Sequence, residues 1–220
     1  MTSAGSMSNA ERKYLPAAGR DLFLPFYDLI AKLLGADKAR QVLFENAHLH
    51  ADDRVLDIGC GTGTFVVLLK QTYPSLKIVA LDPDPKALAR ARRKATRAGV
   101  PIRFDRGFAD SLQYPAQSFD AIFSSFMFHH LETDTRGKTL REVARVLQPG
   151  GRFHLLDFEA SESSGHGPMS LFHRHKRLQD NSENRILALL EQAGFKDRRK
   201  IASLPVFFGL GRAGYFQAIA

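Results

Sequence analysis

Glycines and a carboxylate stand together in residues 54–63 (RVLDIGCGTG). Glycine adopts backbone conformations closed to other residues, so Gly59, Gly61 and Gly63 predict a tight turn with room for a ligand against the main chain. Asp57 ends the apolar run before this turn, where it can hold the loop or bind an ammonium group. The spacing is G-x-G-x-G rather than the G-x-G-x-x-G of dinucleotide-binding turns, which disfavours an NAD-dependent enzyme.

A second carboxylate, Asp82, ends the apolar run 77–81. It lies about twenty residues beyond the turn, the distance at which an acid holds a ribose diol in nucleotide-binding α/β folds. The alternative is that Asp82 caps the helix that begins near Pro85, but Asp84 is better placed for capping. The pair of motifs therefore predicts a site for a ligand with a ribose diol.

Histidines supply the candidate base. His129 and His130 are the residues near the predicted fourth strand that can take up a proton near neutral pH. The alternative is a structural histidine bonded to the backbone at a helix start, which we expect for at least one of the two. The other histidine cluster, around HRH at 173–175, does not indicate the three or four convergent ligands that a metal needs, so no metal site is predicted.

The elements that position these residues alternate along the chain. Short apolar runs at 54–58, 77–81, 102–106, 121–124 and 153–158 predict strands, and helical patterns at 65–72, 86–98 and 135–147 lie between them. Strands alternating with helices indicate βαβ units and a mostly parallel, doubly wound sheet. After a helix at 183–193, the runs 196–203 and 213–219 have no helix between them and predict a closing antiparallel hairpin. The fold class is therefore Rossmann-like α/β with seven strands.

The domain organisation follows from the same pattern. Residues 1–12 are small and polar and predict a disordered start, and residues 13–220 predict one domain. Within it we expect a helical lid at 13–50, a cofactor-binding core at 53–158, a lid or loop insertion at 159–181, and the terminal helix and hairpin at 183–220.

Composition narrows the class of protein. Of 220 residues, 44% are hydrophobic and 25% charged, which is typical of a globular domain. No run approaches the ~20 apolar residues of a membrane span, no signal peptide is evident, and the single cysteine, Cys60, fits a reducing compartment, so we predict a cytoplasmic protein. The net charge of +8 is concentrated at 90–97, 174–177 and 198–200. Such clusters are either solvated faces or sites for an anionic partner, and charge alone does not choose.

The motifs resemble those of the class I S-adenosylmethionine-dependent methyltransferases, in particular the ubiquinone/menaquinone-biosynthesis-type small-molecule branch. VLDIGCGTG at 55–63, LDPDP at 81–85, SFDAIFSSFMFHHL at 118–131 and LQPGGRFHLLDF at 147–158 match the family's motifs in order and spacing. The resemblance covers residues 53–158. It is specific for S-adenosylmethionine and its product S-adenosylhomocysteine, and nearly silent on the acceptor.

The resemblance implies roles for individual residues. The turn, with Cys60 as a small residue filling the space behind it, would pack against the methionyl and adenosyl parts, with Asp57 near the amino group and Asp82 on the ribose. The adenine would lie among Pro83, Phe108, Ala109 and Asp110. The chain departs from the family at Phe108, where an acid is usual, so either Asp110 or the Ala109 backbone serves the adenine, or Phe108 stacks on it.

The site that aligns the sulfonium with the acceptor should lie at the carboxyl end of the fourth strand, because ligands of open α/β sheets bind there. We expect Ser124, Ser125 and Phe126 to line it as cofactor-binding residues. Phe126 and Tyr14 are candidates for an aromatic ring near the sulfonium. We expect a small apolar or amphiphilic acceptor: a quinone precursor, an aromatic metabolite or a lipid amine. The alternatives are a nucleic-acid methyltransferase, which usually carries Asn/Asp-Pro-Pro-aromatic where this chain has Ser124-Ser-Phe-Met, and a non-catalytic protein that binds S-adenosylmethionine.

Overall fold

The structure, a computed structural model, describes residues 36–159, 181–206 and 211–220. The predictions for residues 1–12, residues 13–35 of the helical lid with Tyr14, and nearly all of the 159–181 insertion lie outside these ranges. Among the described helices, none has the length and apolar character needed to cross a bilayer.

The described elements follow the predicted alternation. In chain order they are α1 (Ala36–Asn46), β1 (Arg54–Ile58), α2 (Thr64–Thr72), β2 (Lys77–Asp82), α3 (Pro85–Arg97), β3 (Arg103–Arg106), β4 (Phe119–Ser125), a 3-10 turn (Phe128–His130), α4 (Thr133–Val146), β5 (Leu147–Phe158), α5 (Glu183–Gln192), β6 (Asp197–Val206) and β7 (Gly211–Ile219).

The seven strands form one sheet in the order β3-β2-β1-β4-β5-β7-β6. The first five are parallel, whereas β7 is antiparallel to both β5 and β6. The predicted fold class and closing hairpin are confirmed. The strand order reverses between β1 and β4, and a crevice for ligands opens at such a point, beyond the carboxyl ends of the strands.

Helices cover both faces of the sheet. Buried side chains of α1, α2 and α3 share one apolar cluster, which includes Leu43, Phe65 and Leu88. Those of α4 and α5 share the other, which includes Leu140 and Ile186. Burial on both faces explains why the central strands are almost continuously apolar rather than alternating.

The start of β5 differs from the prediction. The sequence pattern places a helix to residue 147 and a strand from 153, but β5 begins at Leu147. Leu147 is buried and pairs with Phe119, and the register shifts between Phe119 and Ala121. The Pro149-Gly150 pair therefore lies in an exposed irregularity within the strand, where Gly150 has a φ of 78°, rather than in a loop after the helix.

Candidate active site

The turn after β1 is held against the end of β2. The backbone N–H groups of Gly59 and Cys60 both donate to the carbonyl of Leu81, at 2.8 and 3.0 Å. Gly59, Gly61 and Gly63 have φ values of 74°, 53° and 76°, all in the left-handed region that favours glycine. The sequence of this turn thus fixes its path across the carboxyl edge of the sheet.

The three glycines have different surroundings. A Cβ on Gly59 would lie 2.2 Å from Cγ of Met127, and one on Gly63 would lie 2.7 Å from Cβ of Ala91. A Cβ on Gly61 would meet no atom of the described residues within 4 Å. Gly59 and Gly63 therefore allow close packing within the protein, and Gly61 is the glycine that faces open space.

Asp82 joins the turn to the second strand. Its Oδ2 accepts from the backbone N–H of Gly61 and its Oδ1 from that of Asp84, both at 2.9 Å. Burial raises the pKa of Asp82 to about 6, against the effect of these two bonds. The side chain of Asp84 caps α3 by accepting from the N–H of Lys86 at 2.8 Å. Asp82 is thus not the helix cap, and each of its oxygens keeps capacity for a further donor.

Two other groups of the turn are buried. Asp57, at the end of β1, is 2% exposed. Burial, together with the charges of Asp82 and Asp57, raises the pKa of the Cys60 thiol well above its usual value. A protonated, buried thiol is a poor nucleophile, in agreement with the interpretation of Cys60 as a small filling residue.

The loop after β3 borders the same site. The N–H of Gly107 donates to the carbonyl of Asp82 at 3.3 Å, and Phe108, Ala109 and Asp110 follow, all half-buried. Pro83 is also half-buried, and its carbonyl accepts from the Arg106 side chain at 3.2 Å. Pro83 is thus next to the ribose candidate in sequence, and the segment 108–110 follows Gly107, which is bonded to Asp82. The contact of any of these residues with an adenine ring stays a prediction.

His129 lies against a carboxylate that the sequence analysis did not single out. Its Nδ1 is 2.6 Å from Oδ1 of Asp157, the residue before the end of β5, and its backbone N–H donates to Oδ2 at 2.9 Å. Asp157 is fully buried, and it also accepts from the N–H of Phe158. Burial opposes its ionisation, but the charge of His129 and these bonds bring the pKa of Asp157 below its usual value.

This geometry fixes the histidine tautomer. An ionised carboxylate accepts only, so Nδ1 of His129 must donate, and in the neutral ring Nε2 is left as the acceptor. The His130 ring lies 4.0 Å from that of His129 and the Phe158 ring 4.9 Å. Asp157 is the last polar residue of the motif at 147–158, and its position near a strand end is the signal that could have identified it.

The carboxyl end of β4 carries the remaining predicted residues. Ser124 is fully buried, and the hydroxyls of Ser124 and Ser125 bond to no described residue. Phe126 has a φ of 54°, a strained conformation for a bulky side chain, and its ring lies 4.9 Å from that of Phe158. Strain of this kind gathers at functional sites. Met127, also missed by the sequence analysis, connects this segment to the glycine turn.

Comparison with known proteins decides the family. Residues 55–151 match the methyltransferase-domain family. An uncharacterized methyltransferase of Synechocystis sp. is 30% identical over 184 residues, which cover 79% of this chain and 84% of that protein. The chain belongs to the class I S-adenosylmethionine-dependent methyltransferases. The glycine turn at 59–63 and Asp82 both lie within the residues that match the family.

Relatives whose names state a methyl acceptor match over shorter stretches of the chain. Demethylmenaquinone methyltransferase from Deinococcus radiodurans is 40% identical over 155 residues, 69% of this chain and 64% of that protein. The Thermus thermophilus protein of the same name is 39% identical over 137 residues, 61% of each. The chain thus spans less than two thirds of the length of these two relatives. Among solved structures, a SAM-dependent methyltransferase from Aquifex aeolicus agrees with the fold, with a TM-score of 0.64, 23% identity, and coverage of 82% of this chain and 89% of that one.

The described residues of the methyltransferase fit the family's cofactor, S-adenosylmethionine. The open space before Gly61 admits a ligand against the backbone, and the buried Asp82 retains acceptor capacity on both oxygens for a pair of vicinal hydroxyls. No group of three or more metal-ligating side chains comes together within the described ranges, and the histidines at 166, 173 and 175 lie outside them.

Proposed function

We propose that this protein transfers the methyl group of S-adenosylmethionine to a small hydroxylated aromatic acceptor with an apolar part, such as the reduced form of a quinone precursor. The observation that carries the proposal is the contact between His129 and the buried Asp157. Relatives named demethylmenaquinone methyltransferase support the acceptor class, since a hydroquinone carries the hydroxyl that such a base would deprotonate. An amine acceptor that enters the site in its neutral form would not need such a base.

The cofactor would be held by the groups that the resemblance implies. Asp82 would bind the ribose hydroxyls, the turn at Gly61 would lie against the methionyl part with Asp57 near its amino group, and the segment 108–110 would border the adenine. S-adenosylmethionine supplies a methyl group that is already activated on a sulfonium sulfur. The protein must then align the acceptor and exclude water.

His129 would act as the base. Asp157 would accept the hydrogen bond from Nδ1–H and leave Nε2 to take the hydroxyl proton from the acceptor, whose oxygen, or the ring carbon beside it, becomes the nucleophile. Met127, which packs on Gly59, links the His129 segment to the cofactor turn. The aromatic pair Phe126 and Phe158, next to His129, would pack against an aromatic acceptor.

Methyl transfer to a reduced, short-tailed demethylated naphthoquinone, together with calorimetric binding of S-adenosylhomocysteine, tests the proposal. We expect His129→Ala to lower kcat by about 10²–10⁴-fold, the usual contribution of a general base, with cofactor affinity unchanged. His130→Ala is the control, because the partner of Asp157 is His129. Unchanged turnover in both single variants would rule out a histidine base.

The Asp157→Asn variant keeps His129 but changes which ring nitrogen carries its proton, so it tests the positioning role of Asp157. An amide at 157 can donate to Nδ1 and would then favour the tautomer with a proton on Nε2, so we expect a large loss of kcat and a shifted pH profile with little change in cofactor affinity. Cofactor binding without turnover on any acceptor would favour the non-catalytic alternative. The lid at 13–50, the insertion at 159–181 and the role of Tyr14 stay predictions.

A further inference from the structure

Helix α3 carries a stripe of arginines on one side. Its sequence holds Lys86, Arg90, Arg92, Arg93, Lys94 and Arg97 and no acidic residue. Positions three, four and seven apart share one side of a helix, so Arg90, Arg93 and Arg97 form a continuous stripe, called here the arginine stripe. Arg93 and Arg97 are exposed and Arg90 is half-buried.

The arginine stripe is not neutralised within the described part of the chain. Arg92, on another side of α3, donates to the carbonyl of Phe104 at 2.9 Å. Lys94 donates to the hydroxyls of Thr62 and Thr64 at 3.3 and 2.6 Å. The three arginines of the stripe make no ion pair with any described residue. The described part of the chain thus provides no acidic partner for these three arginines.

The neighbouring helix adds an apolar side chain to this face. Lys94 lies one turn from Arg90 and from Arg97 and bonds to the start of α2, which places the arginine stripe beside α2. On α2, Leu68 is 38% exposed, and it is the one large apolar side chain exposed among the described residues. A row of cations beside a protruding leucine is a combination that suits an interface with both anionic and apolar layers.

We propose that the α2–α3 face binds the surface of an anionic lipid bilayer, with the arginine stripe on the headgroup phosphates and Leu68 at the acyl boundary. A nucleic-acid backbone would use the arginines but leave Leu68 without an apolar partner. The preference for lipid also rests on the proposed function, because an acceptor with an apolar tail is stored in bilayers. Guanidinium groups match phosphate oxygens in pairs, which favours arginine over lysine on such a surface.

Vesicle co-sedimentation tests this face. The full chain is mixed with vesicles of phosphatidylcholine alone or with phosphatidylglycerol, and no cofactor or acceptor is present. We expect binding only to the anionic vesicles, weakened by salt. A basic residue near an anionic surface contributes about fivefold in affinity, so the triple variant Arg90→Gln, Arg93→Gln, Arg97→Gln should bind about a hundredfold more weakly. Leu68→Ser should weaken binding severalfold.

A matched control removes the same charge from the opposite face of the sheet. Lys138, Arg141 and Arg185 are exposed on α4 and α5, and the triple change to glutamine there should leave vesicle binding almost unchanged. Equal losses in both triple variants, or equal binding to neutral and anionic vesicles, would overturn the proposal. So would transfer-RNA binding that depends on the arginine stripe when vesicle binding does not.

The failure of this inference is distinguishable from failure of the proposed function. Methyl transfer to a short-tailed, water-dispersed hydroquinone should be the same in the stripe variant and the unaltered protein, because no hydrogen bond or ion pair joins the three arginines to a described residue of the site. If no preparation transfers a methyl group but vesicle binding follows the arginines, the acceptor assignment fails and the surface stands. If transfer proceeds and vesicles are ignored, the surface fails.

Discussion

At the scale of single residues, Asp82 is a buried carboxylate whose two oxygens are both hydrogen-bonded to the backbone. It is 7% exposed, and its pKa is raised by burial to about 6. Two vicinal hydroxyl donors would stabilise its charged form, so ligand binding and deprotonation of Asp82 should be coupled. If Asp82 holds the ribose, as proposed above, it would also set the acid limit of cofactor binding.

We expect the affinity for S-adenosylhomocysteine to fall as the pH drops below about 6, because the protonated carboxyl accepts fewer hydrogen bonds. Asp82→Asn should weaken binding by about 10–100-fold, the loss of a charge-assisted bond, and should abolish this acid dependence. Isothermal titration across the pH range measures both effects.

The control is Asp84→Asn, at the other buried carboxylate of the same segment. Asparagine caps helices as well as aspartate does, so the variant should keep its affinity near neutral pH. Its acid dependence should remain and begin at a slightly lower pH, because the charge of Asp84 helps to raise the pKa of Asp82. An acid dependence that survives in Asp82→Asn would assign the coupling to a different group.

At the scale of elements, the glycine turn begins α2 and packs against α3, and it also borders the proposed cofactor site. Gly63 is the N-cap of α2, and its Cα hydrogens face Ala91 of α3. Gly61, two residues earlier, faces open space. The same short turn therefore has one position that serves helix packing, Gly63, and another that is open to the proposed ligand, Gly61.

Alanine substitutions should separate these two roles. Gly63→Ala combines a left-handed backbone with contacts of 2.7 Å to Cβ and 3.1 Å to Cα of Ala91, so we expect a loss of about 2–4 kcal/mol in the free energy of unfolding. Gly61→Ala should cost only about 1–2 kcal/mol, from backbone strain. It should, however, weaken cofactor binding, because its Cβ enters the open space. Urea denaturation and calorimetry measure the two quantities.

Gly99→Ala serves as the reference for strain alone. Gly99 has a φ of 65° and open surroundings, and it lies at the end of α3 away from the turn. Its variant should lose about as much stability as Gly61→Ala and no affinity. A Gly63→Ala protein as stable as the Gly99→Ala protein would contradict the packing role.

The sequence predicted the elements well where local rules and packing agree. The glycine turn, Asp84 as the cap of α3 and the antiparallel hairpin all follow from short-range chemistry. The start of β5 does not, because Leu147 is drawn into the sheet by pairing with Phe119, which lies in another strand. The contact between His129 and Asp157 spans 28 positions and depends on the adjacency of β4 and β5. Local patterns do not contain such contacts.

At the scale of the whole molecule, the buried Asp82 and His154 change the free energy of unfolding in opposite directions as the pH falls. Burial raises the pKa of Asp82, so the free folded protein holds a proton that the unfolded chain releases, and this contribution falls as the pH rises from about 4 to 6. His154 has the opposite sign. It is fully buried, stacked on Phe123 and bonded to Tyr215 through Nδ1 at 2.8 Å. Burial, then the charges of Arg152 and His48, lower its pKa to about 3.

Below the ordinary histidine pKa, His154 binds a proton in the unfolded chain but not in the folded protein. Acid should therefore destabilise the fold through this residue. At about pH 5 the effect amounts to about 2 kcal/mol relative to neutral pH. We therefore expect the stability advantage of the unaltered protein over His154→Gln to be about 2 kcal/mol smaller at about pH 5 than at about pH 7. Urea denaturation at both values measures it, and exposed His50→Gln, the control, should show no such change. An advantage that stays constant with pH would mean that His154 is protonated in the folded protein.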